Sequence, residues 1–267
     1  MLIYIYAIFI VFDIIAMAIA GWAQYNVNSN YNYYSGVATG KEISGYDVAK
    51  RILDSNGIND VQINCISGKL TDHYHPKKKQ VNLSKDVYSG TSIASIAVAA
   101  HECGHAIQYQ QGYFGIKVRN FVIPLSNFIS RAMIPLVIIG ILFTFSTITF
   151  LGTNVGDIII IASLVSLGLS VLVNLVTLPV EFDASRRALK CIEEMGIVDN
   201  EEYAGTREML KSAALTYVAA LAVSLIYLLR FIFIVLTLRG RDEWKNYQRN
   251  FLKICKLNYP KKSLLYF

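Results

Sequence analysis

The sequence predicts a mainly α-helical membrane protein with a small β-hairpin or sheet at the membrane surface. Hydrophobic residues make up 54% of the 267 residues and the mean hydropathy is +0.41, more than a water-soluble core needs. They gather into blocks long enough to cross a bilayer, which takes about 20 apolar residues. Residues 60–86 instead alternate apolar and polar side chains, as half-buried strands do.

The apolar blocks divide the chain into six segments. These are a transmembrane anchor at 1–25, a membrane-surface region at 26–131, a transmembrane hairpin at 132–178, a helical segment at 179–212, a fourth apolar span at 213–238 and a basic amphipathic tail at 239–267. The first block is interpreted as a retained anchor rather than a cleaved signal peptide, because it lacks a basic start and its apolar run is too long.

Several local signals refine this division. Residues 26–40 are rich in Asn, Tyr, Ser and Gly, which predicts a loop, and Pro179 is expected to end the third span. The fourth block contains Arg230, so it forms either one long tilted helix or a span that ends there. Asp13 lies within the first block and is expected to face other helices or a polar cavity, because a carboxylate is costly in lipid.

The surface region contains an amphipathic helix and a hairpin. The helix is predicted at 44–57, with Ser44 as its cap. The hairpin turns at three lysines, 77–79, and we expect the edge of its strand Val81–Ser84 to accept an extended peptide.

Residues 101–105 have the pattern H-E-x-x-H. On a helix, His101 and His105 lie one turn apart on the same face, where both can bind one Zn²⁺ at about 2.0–2.1 Å. Glu102 between them can serve as a general base. A helix is predicted here, with Thr91 or Ser92 as its cap and Gly112 as its end. The motif therefore predicts a zincin-like region; a buried helix with two merely structural histidines is disfavoured, because such histidines rarely come as a spaced pair around a glutamate.

A catalytic zinc ion usually takes three protein ligands, and Glu181 is the best candidate for the third. The hairpin of spans returns the chain to the side on which it started, so Glu181 can reach the motif without another crossing. Asp183 is the alternative ligand, and both acids also suit the start of a helix, whose dipole favours negative charge. Ser185 lies one helical turn from Glu181 and could support it by a hydrogen bond.

His73 and His75 are the other histidines of the chain. On a strand they share a face and could bind a metal ion or substrate. The ordinary interpretation is an exposed hairpin end, which we favour. The residue that stabilises the oxyanion is not identified, because these histidines and several tyrosines qualify equally.

Several separated motifs resemble one protein family. HECGHAIQ, a transmembrane hairpin and PVEFDASRRAL resemble the YugP-like family of bacterial membrane zinc metallopeptidases, and LTDHYHP, VNLS, VYSG and AALTYVAAL extend the resemblance over most of residues 40–230. EFDAS is more distantly similar to the E-F-x-A-D stretch of HtpX-type membrane proteases, although Ser185 stands where those proteins have Asp. The resemblance implies a gluzincin-type endopeptidase with His101, His105 and Glu181 as zinc ligands and Glu102 as catalytic acid and base.

The expected activity is hydrolysis of peptide bonds in membrane-associated or unfolded proteins near the bilayer surface. An intramembrane protease is disfavoured, because only a short apolar run precedes His101 and three glutamines soon follow it. A non-catalytic zinc-binding adaptor or scaffold is the alternative, against which Glu102 argues, since a structural zinc site needs no base. The expected partners are a protein or peptide substrate and the lipid bilayer, and the oligomeric state is not predicted.

The charge pattern bears on partners and on orientation. The net charge is +6 and the basic residues flank the apolar blocks, which suits anionic lipid headgroups rather than nucleic acid. Basic residues surround the catalytic side of the predicted hairpin of spans, whereas its linker at 152–156 has none, so we expect a multi-pass cell-membrane protein with a cytoplasmic active site. Four complete spans would place the basic tail outside the cell. Either the fourth block does not fully cross the membrane, or the tail is an exception to the preference of basic residues for the cytoplasmic side.

Overall fold

The computed structural model describes residues 2–143, 149–150 and 153–258, and the protein is mainly helical, as predicted. Side chains are described for 7–129, 131 and 158–236. In chain order the elements are α1 (Leu2–Ser35), α2 (Gly45–Ser55), β1 (Gln62–Ile66), β2 (His73–His75), β3 (Gln80–Ser84), α3 (Lys85–Tyr88), α4 (Ile93–Gln110), α5 (Phe114–Phe143), β4 (Thr149–Phe150), β5 (Thr153–Asn154), α6 (Val155–Glu194) and α7 (Asn200–Asn258).

Three helical stretches in the described part of the chain are long and apolar enough to cross a bilayer. They are Ala7–Ser35 in α1, Ile158–Glu194 in α6 and Asn200–Leu236 in α7. The predicted second span, residues 132–151, falls in part outside the described residues; its beginning continues α5. Since α7 packs against both α1 and α6, and α6 packs against α5, the long helices form one bundle. The prediction of a mainly helical transmembrane protein is confirmed.

The first helix is longer than predicted, because α1 continues through residues expected to form a loop and ends at Ser35. Tyr31 and Tyr34 are buried in the core of the surface region, and the hydroxyl of Tyr34 donates a hydrogen bond to Glu208 at 2.7 Å. These tertiary contacts outweigh the weak helix propensity of an Asn- and Tyr-rich stretch.

Two further helices continue through residues at which the sequence predicted an end, for Pro179, or left one open, for Arg230. The prediction that Pro179 ends a helix is wrong, because α6 passes through it. A proline inside a helix removes one backbone hydrogen bond, and the packing of α6 against α4, α5 and α7 outweighs that loss. The last helix continues through Arg230, which decides between the two alternatives in favour of one long helix. Arg230 forms an ion pair with Asp13 of α1, so Asp13 faces a neighbouring helix as expected.

The larger sheet has three strands in the order β1-β3-β2, and β4 and β5 pair in a separate two-stranded sheet. β1 pairs with β3 in parallel, and β2 pairs with β3 as an antiparallel hairpin. β3 therefore has a partner on each side, and the expectation that its segment Val81–Ser84 offers a free edge is wrong. The free edge next to the central helix belongs to β2, which contacts α4.

The central helix is α4, which begins and ends where the sequence indicated. Ser92 caps it by accepting a hydrogen bond from the backbone N–H of Ser95, and the chain turns away at Gly112 with a φ of 64°. It packs between α2 and α6. A Cβ at Gly104 would lie 2.4 Å from the backbone oxygen of Ala184, so glycine allows α4 and α6 to approach closely. This approach brings residues of the two helices into one site.

Candidate metal centre

Three side chains from α4 and α6 converge on one point. His101 and His105 lie one turn apart on α4, and Glu181 lies on α6, one turn before Ser185. The Oε2 atom of Glu181 is 3.2 Å from Nε2 of His101 and 3.5 Å from Nε2 of His105. Glu181 is only 1% exposed. The potential ligand atoms all lie within 4.8 Å of one another.

This donor set fits a zinc ion. Two imidazole nitrogens and one carboxylate oxygen make up the three protein ligands typical of catalytic zinc, with the fourth position left for water or substrate. The two nitrogen–oxygen separations resemble the edges of a tetrahedron with metal–ligand bonds of about 2.0 Å, which measure about 3.3 Å. In the described part of the chain, no other group of three or more His, Cys, Asp and Glu side chains has this arrangement.

Glu102 lies beside the three candidate ligands and is buried. One of its carboxylate oxygens accepts a hydrogen bond of 2.8 Å from the backbone N–H of Tyr74 on the free edge of β2. Burial raises the pKa of Glu102 to about 7, since desolvation disfavours the charged carboxylate, and the negative charges of Glu181 and Asp72 act in the same direction. The electrostatic effect of His101 acts in the opposite direction and lowers the pKa of Glu102. A carboxylate with such a pKa can both accept and return a proton near neutral pH.

Each histidine is oriented through its other ring nitrogen. The hydroxyl of Ser185 lies 3.2 Å from Nδ1 of His101, so Ser185 contacts a histidine rather than Glu181, where we had expected it. Nδ1 of His105 lies 3.0 Å from Oε1 of Gln108. Such contacts fix the tautomer and the ring orientation of metal-binding histidines.

Asp183, the alternative ligand, lies away from the three-residue group and supports it indirectly. The side-chain N–H of Gln108 donates to Asp183 at 2.9 Å and to the backbone oxygen of Val180 at 2.8 Å. Asp183 also forms ion pairs with Arg186 and Arg187. Gln108 thus links His105 to the α6 helix that carries Glu181.

The second carboxylate oxygen of Glu181, Oε1, contacts an arginine. Nη1 of Arg119, on α5, lies 3.1 Å from Oε1 of Glu181. The guanidinium therefore faces one side of the carboxylate while the two imidazoles face the other. Three helices, α4, α5 and α6, thus meet at this buried carboxylate.

The structure does not bring His73 or His75 into the three-residue group. Nδ1 of His73 is 2.8 Å from the backbone oxygen of Thr71, and its Nε2 is 3.2 Å from the side-chain amide of Asn82. Nδ1 of His75 accepts a hydrogen bond from the backbone N–H of Lys78 within the hairpin turn. Both histidines therefore have contacts within the hairpin itself.

The candidate centre opens into a cavity of about 160 Å³. Its lining includes His101, Glu102 and Glu181 together with Tyr217 of α7. Asp72 lines the same cavity and joins the start of β2 to the end of β3, because it accepts hydrogen bonds from the backbone N–H of Ser84 at 2.6 Å and from its hydroxyl at 3.1 Å. A reactant in this cavity would contact two of the candidate ligands, His101 and Glu181, together with the candidate base Glu102.

Sequence reasoning missed four residues at this centre: Tyr74, Gln108, Arg119 and Tyr217. Gln108 offered a signal, since it lies three residues after His105 and a buried glutamine on a helix needs partners. Arg119 offered none, because its partner is 62 residues away on another helix. Tyr217 could not be distinguished from the other tyrosines until α7 was placed beside the cavity.

Comparison with known proteins agrees with the class that the helices and the centre define, a membrane protein with an H-E-x-x-H zinc-peptidase motif. Residues 8–236 match the model of the family described as "Putative neutral zinc metallopeptidase". The chain is also 42% identical over 237 residues to a Bacillus subtilis protein described as "Putative membrane protease YugP", covering 88% of this chain and 99% of that protein. No solved structure matches the chain.

The chain therefore belongs to this family of zinc metallopeptidases. Since it is similar to its Bacillus relative over nearly the whole length of that protein, the resemblance stated from the motifs is confirmed. The three apolar helices agree with the word "membrane" in the relative's description.

Proposed function

We propose that the protein is a zinc-dependent endopeptidase of the gluzincin type that cleaves membrane-associated or unfolded proteins near the bilayer surface. The observation that carries the proposal is the convergence of His101, His105 and Glu181 beside the buried carboxylate of Glu102. A purely structural zinc site needs no such base, so this neighbour favours an enzyme over an adaptor.

His101, His105 and Glu181 would hold the ion through two nitrogens and one oxygen. A zinc ion bound there supplies Lewis acidity, which activates water and polarises a carbonyl group. Ser185 and Gln108 orient the two imidazoles, and Arg119 orients the carboxylate.

Glu102 is the proton carrier of this proposal. One of its oxygens is held by the N–H of Tyr74, which leaves the carboxylate facing the cavity. It accepts the proton of the attacking water and then delivers it to the leaving amine.

The free edge of β2 is a suitable place for the substrate backbone. Tyr74 lies on this edge, and its N–H reaches the candidate base. An extended peptide laid along β2 would run past the candidate metal centre; since the N–H of Tyr74 is bonded to Glu102, the carbonyl oxygen of Tyr74 is the group left to accept a main-chain hydrogen bond from it.

The proposal also includes the side of the membrane on which the active site lies. Arg119, Arg186 and Arg187 lie close to the centre, on the side of the bundle from which the apolar part of α6 has emerged. Because basic residues favour the cytoplasmic side, we place the active site in the cytoplasm. A reporter fused within residues 152–156 is expected to be extracytoplasmic, and a cytoplasmic reporter would reverse the assignment.

The decisive experiment compares wild type with Glu102→Gln in zinc content and in cleavage of an unfolded protein. We expect the variant to retain its zinc ion and to lose at least about 100-fold in activity, the scale of an acid–base contribution. A zinc-loaded Glu102→Gln protein that cleaves as fast as wild type would refute the mechanism. A wild-type protein that binds zinc and cleaves nothing would favour the adaptor.

A further inference from the structure

A groove of about 550 Å³ lies between α6 and α7, next to the cavity of the candidate metal centre. Ser185, Leu210 and Ala214 line both the groove and the cavity, so the two are adjacent and share a wall. A peptide bound at the cavity therefore has the groove beside it, within a few residues of the candidate base.

The groove has an apolar floor and a basic rim. Leu210 and Ala214 are each only 4% exposed, while Phe182 presents 47% of its surface. Four basic side chains and a single acid, Glu193, complete the charged lining; the basic residues are Arg186, Lys190, Arg207 and Lys211. The lining therefore carries a net positive charge.

Two of these basic side chains have no acidic partner in the part of the chain that the structure describes. Arg186 is paired with Asp183, and Lys190 lies 3.6 Å from Glu194. Among the described residues, Arg207 and Lys211 form no ion pair, and both are exposed on α7. Their charges are available to a molecule that occupies the groove.

We propose that this groove binds an acidic segment of the substrate, so that the enzyme prefers peptides with acidic residues a few positions from the cleaved bond. The inference rests on the proposed function and adds a substrate class to it. A peptide suits the groove better than a lipid headgroup does, because the groove shares its wall with the cavity in which Glu102 lies.

The helix geometry sets the distance of the acidic residues from the cleaved bond. Tyr217 lines the cavity, and Lys211 and Arg207 precede it on α7 by six and ten residues, which is about 9 and 15 Å along the axis. An extended peptide rises about 3.3 Å per residue. The acidic residues are therefore expected about three to five residues from the cleaved bond.

Binding can be measured without cleavage by using the zinc-loaded Glu102→Gln protein in nanodiscs of zwitterionic phosphatidylcholine. The probes are short peptides that differ only at two positions within this window, carrying Glu-Glu, Gln-Gln or Lys-Lys, on either side of the central bond. We expect the Glu-Glu peptide to bind about five-fold more tightly than the Gln-Gln peptide at low salt. The difference should shrink as salt screens these exposed charges.

The variants assign the preference to the groove. Arg207→Gln/Lys211→Gln should abolish it, and Arg207→Glu/Lys211→Glu should reverse it in favour of the Lys-Lys peptide. The matched control Arg51→Glu/Lys85→Glu changes charge equally at exposed residues that do not line the groove, and it should keep the wild-type preference. Equal binding of the three peptides, or an equal effect of the control pair, would overturn the inference.

Two further experiments distinguish peptide binding from lipid binding and test the peptidase activity separately. If the Arg207 and Lys211 variants change binding to nanodiscs that contain phosphatidylglycerol but leave peptide preference unchanged, the groove serves lipid and the inference is wrong. Cleavage of the same peptides by wild type tests the proposed function independently. Selective binding without cleavage would refute the proposed peptidase activity but support the groove as a binding site for acidic peptides. Cleavage of all three peptides at equal rates would support the peptidase activity and refute the preference for acidic peptides.

Discussion

The guanidinium of Arg119 and the carboxylate of Glu181 form an ion pair at 3.1 Å, and this pair occupies the side of the carboxylate that faces away from the histidines. Because Glu181 is almost fully buried, the contact both compensates its charge and sets the rotation of the carboxylate. The oxygen Oε2 is left facing the imidazoles of His101 and His105.

Replacing Arg119 by Gln is therefore expected to weaken zinc binding. Loss of the group that orients a metal ligand typically costs 10- to 100-fold in metal affinity, and we expect about that factor here. The zinc dissociation constant can be measured by competition with a chelator, and Arg119→Lys should recover part of the loss. Arg131→Gln, on the same helix, is the control and should leave zinc affinity unchanged; a variant at Arg119 that binds zinc as tightly as wild type would show that Glu181 is oriented without it.

Replacing Gln108 by Leu should also weaken zinc binding, through His105. The fully buried amide contacts Nδ1 of His105 and donates to Asp183 and Val180. Leucine has a similar size but removes the side-chain partner of Nδ1 of His105 and one of the hydrogen bonds of Asp183, so we expect a zinc dissociation constant about 10-fold or more higher and a lower melting temperature.

Gln110→Leu serves as the control, because this glutamine is exposed on the same helix. It should change neither zinc affinity nor melting temperature. A Gln108→Leu protein that loses stability but keeps its zinc affinity would mean that the amide serves the packing of α4 and α6 only.

The parts of the centre that follow from local spacing were predictable, and the parts that depend on three-dimensional packing were not. His101 and His105 share a helix face because of their spacing, and the return of the chain through the membrane pointed to Glu181 as a partner. Arg119 shows the limit, since no periodic pattern connects a lone arginine on α5 with a carboxylate on α6.

The fold shows the same division. Strand alternation and the caps of α2 and α4 located these elements, because the signals are local. The signal at Pro179 predicted an end and Arg230 left an end open as one of two alternatives, yet both helices continue, because each gains more from contacts with neighbouring helices than it loses locally. Local rules are overridden in long packed helices, where tertiary contacts supply most of the stability.

Gly104 tests whether the spacing of α4 and α6 matters for the centre. A methyl group at this position would lie 2.4 Å from the backbone oxygen of Ala184, so Gly104→Ala must push the two helices apart. Overpacking of this kind costs about 1–3 kcal/mol, which predicts a lower melting temperature. Zinc affinity should fall with it, since the histidines are on α4 and Glu181 is on α6.

The matched control is Gly168→Ala on α6. An added Cβ there meets no atom within 4 Å, and alanine favours a helix over glycine by about 0.8–1.0 kcal/mol. This variant should be as stable as wild type or slightly more stable. If Gly104→Ala matches it in melting temperature and zinc affinity, the close approach of the two helices is not required.

The ion pair between Asp13 and Arg230 joins α1 to α7 within the apolar part of the bundle. The guanidinium also lies over the ring of Phe9, 5.6 Å from its centre. Asp13→Asn or Arg230→Gln leaves one charge in the bilayer without its partner, which costs about 2.5–3.5 kcal/mol for a charge at the centre of a helix. Each single variant should lower the melting temperature in nanodiscs while zinc affinity, measured at the distant centre, stays unchanged.

The double variant Asp13→Asn/Arg230→Gln separates pairing from simple loss of charge. Since neither charge then remains in the bilayer, the double variant should lose less stability than the sum of the two single variants. The exchange Asp13→Arg/Arg230→Asp should recover further stability by restoring the pair in the opposite order. Strictly additive losses in the double variant would show that the two residues act independently and that α1 and α7 are held together by apolar packing alone.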